Sequence, residues 1–124
     1  MGAARAPLRS DMATRRSTVA KYLVKASYTV EGATGVQRAG GVSRRDAVAK
    51  MAEGLGGSLE SFYFAFGETD AYVILDVPDN RTAAAASIAV NTAGGASAEV
   101  VVLLTPEEID EAAKLSVDYR PPGA

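Results

Sequence analysis

Glu68 and Asp70 stand two residues apart in the short polar segment Gly67-Glu68-Thr69-Asp70, with Glu60 and Asp76 to either side. Carboxylates brought together raise one another's pKa, so they can serve as a general acid or base or hold a hard cation. The competing reading is structural: Gly67 supplies a positive φ and Asp70 closes a turn on its own backbone. Lys25 and Ser27, with Tyr63 and Tyr72, form a second candidate ligand-binding group. A Lys or Tyr lining a cavity between sheets sits in low dielectric, where its protonation shifts. Lys25 stands out, since a mid-strand lysine amid apolar neighbours needs a reason. Its alternatives are a stem snorkelling from a barrel mouth or a guard on a sheet edge. The two tyrosines also suit core positions with one satisfied hydroxyl. Arg38, Arg44 and Arg45 surround Gly40-Gly41 and Ser43. A Gly-rich entry to a helix exposes backbone N–H groups, and with nearby arginine these hold a phosphate or carboxylate. The phosphate-loop pattern G-x-x-x-x-G-K-[ST] is absent, and a solvated helix face is the alternative. Asn80-Arg81-Thr82 has the form of a glycosylation sequon and is read as a helix cap.

Composition narrows the chemistry. The 124 residues contain no His and no Cys, which removes imidazole bases, thiolate nucleophiles and His- or Cys-ligated metal centres. No cofactor or metal is expected. Hydrophobic residues at 48% and charged residues at 23% fit one soluble globular domain. A net charge of −2 favours neither nucleic acid nor an anionic membrane. No run reaches the roughly 18 apolar residues of a membrane span. Arg15-Arg16 resembles a twin-arginine pair, but Lys21 and Lys25 interrupt the apolar stretch that should follow. A cytoplasmic protein is expected.

Those side chains need elements to position them. Residues 1–17 carry four arginines against one aspartate, a net of +3 that leaves −5 for the rest. They lack apolar periodicity and read as a disordered basic arm. Residues 18–118 read as the folded domain and 119–124 as an extended tail. Val19–Tyr28 alternates as a strand, with Tyr22, Val24, Ala26 and Tyr28 on one face and Leu23, Lys25 and Ser27 on the other. Thr29–Val42 reads as a glycine-rich loop with one short helical turn. Ser43 is the expected cap of a helix that Gly56-Gly57 stops. Residues 58–77 form a hairpin whose strands are apolar on both faces, so both faces must be covered. Pro78 ends it, and Asp79 or Asn80 caps an alanine-rich helix ending at Gly94-Gly95. Glu99–Leu104 reads as the fourth strand. Thr105-Pro106-Glu107-Glu108 opens a last helix reaching about Ser116.

The order β-α-β-β-α-β plus a terminal helix is the ferredoxin-like arrangement, an α+β fold with a four-stranded antiparallel sheet. Its second sheet face is too apolar to stay bare, so pairing of two copies as a dimeric α+β barrel is expected. K-Y-L-V-K-A-S-Y-T-V-E-G, F-Y-F-A-F-G-E-T-D-A-Y-V-I and L-L-T-P-E-E-I-D-E-A-A-K together resemble the GYD-domain family, a bacterial and largely uncharacterised group. Gly67 and Asp70 match its G-x-Y-D signature, while Thr69 stands where Tyr is expected. The resemblance implies the dimeric α+β barrel, a group that includes cofactor-free oxygenases, haem-handling enzymes and ligand-sensing domains. The favoured expectation is a non-catalytic small-molecule-binding or assembly module acting as a homo-oligomer. The rivals are a cofactor-independent oxygenase, isomerase or lyase with its site between the sheets, and a purely structural assembly subunit.

Overall fold

The computed structural model describes residues 20–124. The expected basic arm over residues 1–17, and Val19, lie outside the described residues. The elements are β1 (Ala20–Tyr28), α1 (Val30–Ala39), α2 (Gly41–Gly54), β2 (Ser58–Phe64), β3 (Ala71–Val77), α3 (Asn80–Ala93), β4 (Ala96–Leu103) and α4 (Pro106–Ala113). The strands form one antiparallel sheet in the order β2-β3-β1-β4. This is the expected ferredoxin-like α+β topology, with two helices in its first crossover.

Period-two alternation builds the sheet. On β3, Ala71, Val73, Leu75 and Val77 are buried, while Tyr72, Ile74 and Asp76 point the other way. β1 matches it in register, placing Tyr22, Val24, Ala26 and Tyr28 on the same side. Against them pack Val48 and Ala52 of α2 and Ala83 of α3. Burial of each large aliphatic side chain contributes about 1.5–3 kcal/mol, so this layer holds the domain together. Tyr22 is 2% exposed, and its phenol donates to Asn80 Oδ1 at 2.6 Å, tying β1 to the start of α3. Burial raises the Tyr22 pKa, and Asp79 adds to the effect. Asp79 caps α3, accepting from the Thr82 backbone N–H at 2.9 Å and the Thr82 hydroxyl at 2.8 Å. Those two bonds hold its carboxyl below the usual range.

Three expectations shift ahead of the last helix. Thr29–Val42 is not a loop, because α1 occupies Val30–Ala39. Its glycines disfavour helix locally, but tertiary contact supplies what propensity lacks. Thr29 caps α1 by accepting from Gly32 N at 3.1 Å and donates its hydroxyl to Gly94 O at 2.9 Å. A Cβ on Gly32 would lie 1.8 Å from Gly95 O, so only glycine lets α1 seat there. Gly40, at φ 94°, breaks α1 from α2 and is the α2 N-cap, so Ser43 lies inside the first turn and is not its cap. β4 begins at Ala96, ahead of Glu99, since Ala96–Ala98 pair with Ala26–Tyr28 and Asn91 Oδ1 accepts from Ala98 N at 2.8 Å.

The last helix starts where expected. Thr105 and Glu108 form both bonds of a capping box, at 2.7 Å and 3.1 Å. It ends at Ala113, short of Ser116, and buries no side chain among the described residues. No described helix is long and apolar enough to cross a membrane.

Candidate functional site

The sheet face turned away from the helices carries three rows of side chains beyond the Ser27–Ser97 pair at one end. Tyr63, Tyr72, Lys25 and Glu99 form one row across β2, β3, β1 and β4. Ser61, Ile74, Leu23 and Val101 form the middle row, and Asp76, Lys21 and Leu103 the last. The face is therefore apolar in its middle and polar at both ends. Lys25, Tyr63 and Tyr72 do come together, brought into one row by the pairing of β1 with β3 and β3 with β2. Lys25 Nζ lies 3.9 Å from Glu99 Oε1, a loose ion pair with the glutamate largely exposed. Tyr63 and Tyr72 are both exposed.

Lys21, which has no distinguishing local sequence feature, is the best-connected cation on this face. Its ammonium donates to Asp76 Oδ1 at 2.8 Å and to the Glu60 carboxylate. Glu60 sits at a β-bulge, between the Leu59–Leu75 and Ser61–Ile74 pairs. Hydrogen bonds to Asp76 first and Glu60 second raise the Lys21 pKa. Glu60 and Asp76 thus lie at the strand ends remote from the 67–70 turn, bridged by one lysine. They do not join Glu68 and Asp70. Among the described residues no three carboxylates gather closely enough to hold a metal ion.

Within the turn, Asp70 bonds three ways to its surroundings. Its Oδ2 accepts from Tyr28 N at 2.8 Å, its N–H donates to Ala26 O at 2.8 Å, and its carbonyl accepts from Ala65 N at 2.8 Å. The Ser27 hydroxyl donates to Glu68 O at 2.8 Å. Ser27 and Asp70 therefore fasten the hairpin to the end of β1. The Glu68 side chain is exposed.

On the opposite side of the sheet the arginines diverge. Arg38 is exposed at the end of α1, and Arg45 pairs with its neighbour Asp46 at 3.2 Å. Arg44 instead lines a cavity of about 450 Å³ bounded by α1, α2, α3 and the adjoining ends of β1 and β4. Its Nε is buried and has no hydrogen-bond partner among the described residues. A smaller void of about 50 Å³ lies deeper against the sheet, and Arg44 and Tyr28 line both spaces. Burial raises the Tyr28 phenol pKa, with Arg44 pulling it down and Asp70 pushing it up.

A family model, GYD domain, matches residues 22–113, about three quarters of the chain. The chain belongs to the GYD domain family. No curated protein and no solved structure matches it. In this GYD domain Gly67 and Asp70, the matching signature positions, lie in a turn that ties the hairpin to β1. Gly67 has φ 153° and open space around its Cα, so its role is conformational. Chemically, the GYD domain offers a polar row on one sheet face and a single inward guanidinium on the other. The signals that would have found Lys21 and separated Arg44 from its neighbours were strand register and helix phase, both of which depend on non-local pairing.

Proposed function

We propose that this GYD domain is a non-catalytic module that assembles with a second copy of itself through the open sheet face and holds a small molecule there. The observation that supports it is the uncovered middle row, where Ile74, Leu23 and Val101 have no helix over them among the described residues. Four strands spaced about 4.8 Å apart and about seven residues long give a face of roughly 440 Å². A standard stable interface takes about 800 Å² from each partner. The difference falls to α4 and its tail, where Ile109, Leu115, Val117 and Tyr119 are exposed. The charges suit self-pairing, since Lys21 and Lys25 are interspersed with Glu60, Asp76 and Glu99, leaving the face near neutral. Lys25, Tyr63 and Tyr72 are the anchors for a bound molecule, with Ser27, Glu68 and Asp70 shaping the end of the face beside them. A cytoplasmic location belongs to the same reading.

A cofactor-independent enzyme is the second reading, favoured by the Lys25–Tyr72–Tyr63 row, which would lie inside a closed barrel. Native mass spectrometry on protein purified directly from cells tests the assembly and the bound molecule together. A dimer or larger species carrying extra mass is the expected result. A monomer at micromolar concentration overturns the assembly, and an empty dimer removes the ligand and leaves a structural subunit.

A further inference from the structure

The helix-side cavity lies across the sheet from the proposed assembly face and does not depend on it. Arg44 is its one charged lining residue. Arg44 is half-buried, and its Nε is withdrawn from water as a donor with no hydrogen-bond partner among the described residues, which is costly. No carboxylate among the described residues pairs with Arg44. The remaining walls are mostly apolar or small, including Val36, Met51 and Val90 with Gly35, Ala39 and Ala89. Those small residues explain why the space stays open: α1 is seated at its Gly32 end on Gly95, and beyond that contact it has few side chains large enough to reach α3. About 450 Å³ falls within the roughly 300–1,000 Å³ typical of small-molecule sites.

The geometry points to a binding site for a small organic monocarboxylate with an apolar body, its carboxylate on Arg44 and its hydrocarbon between α1 and α3. One guanidinium balances one carboxylate and meets it with a two-pronged fork. A phosphate dianion would call for more cations, and Arg38 and Arg45 do not line the cavity. Tyr28, beside Arg44, places a phenol at the same end of the space.

The test is isothermal titration of the full chain with decanoate, with decanol and inorganic phosphate as comparison probes. Decanoate is expected to bind, and decanol and phosphate to bind at least about tenfold more weakly, for want of the charge-assisted fork or the apolar fit. Arg44→Met is expected to weaken decanoate at least about tenfold while thermal stability holds, because a buried donor without a partner among the described residues has been removed. Should Arg44→Met fail to fold, Arg44→Lys and the cavity-filling Ala89→Phe replace it, and both are expected to lower affinity. The monomeric form sought with Ile74→Lys is expected to bind decanoate as the parent does, which separates this site from the assembly. Equal decanoate affinity in parent and Arg44 variants, or no binding at millimolar decanoate, overturns the proposal. Phosphate binding that depends on Arg44 as strongly as decanoate overturns the carboxylate assignment.

Discussion

Ile74→Lys tests the assembly at the centre of the open face. Ile74 lies between Leu23 and Ser61 on the middle row and is only partly exposed within one protomer. Little apolar area is therefore left to bury there, at most about a third of the roughly 1.5–3 kcal/mol for a full isoleucine. The charge decides the outcome. An ammonium carried into a dry interface costs several kcal/mol, and two-fold symmetry introduces it twice and close to its own copy. Even if snorkelling spares all but about 2 kcal/mol per lysine, the dimer loses about 4 kcal/mol, close to a 10³-fold rise in Kd. Sedimentation velocity on the parent, Ile74→Lys and the conservative Ile74→Val reads this directly. The parent and Ile74→Val are expected as dimers at micromolar concentration, and Ile74→Lys as a monomer with unchanged far-UV circular dichroism. A dimeric Ile74→Lys with Kd raised less than tenfold would refute assembly through this face.

Tyr22→Phe removes the bond to Asn80 and is expected to cost about 0.5–1.5 kcal/mol in urea melts, toward the low end because Asn80 can turn to water. Asp70→Ala leaves the Tyr28 N–H without its acceptor and is expected to cost about 1–3 kcal/mol, with amide exchange at Tyr28 accelerated. Gly32→Ala drives a Cβ into Gly95 O and is expected to destabilise by about 1–3 kcal/mol, with α1 amides losing protection first. The raised Lys21 pKa means that its contribution is complete below the ordinary value of 10.5 and disappears as pH climbs through the higher folded value. Above pH 10.5 the stability gap between the parent and Lys21→Met is expected to close, as read by urea melts across that range. The effect is modest, because the Lys21 side chain is 42% exposed.

Features governed by local physics are legible along the chain. Alternation placed Tyr22, Val24, Ala26 and Tyr28 opposite Leu23, Lys25 and Ser27, while strand register brought Lys25 beside Tyr72 and Tyr63. Thr105-Pro106-Glu107-Glu108 announced its own capping box, and Asp79-Asn80 a cap that the structure assigns to Asp79, because those bonds span three residues. Tertiary structure decided whatever joins distant parts of the chain. α1 forms against the preference of its glycines because Gly32 seats on Gly95 from the far end of the domain. The carboxylates of residues 60–76 read as one group, yet antiparallel pairing sends Glu60 and Asp76 to Lys21 and leaves Asp70 holding β1. Arg44 and Arg45 are neighbours in sequence, but one helical step separates a solvent-facing ion pair from an inward guanidinium. Which of them faces the cavity depends on the phase of α2 against the sheet. That phase is set by the burial of Val48 and Ala52, a long-range packing decision that the arginine pair does not reveal.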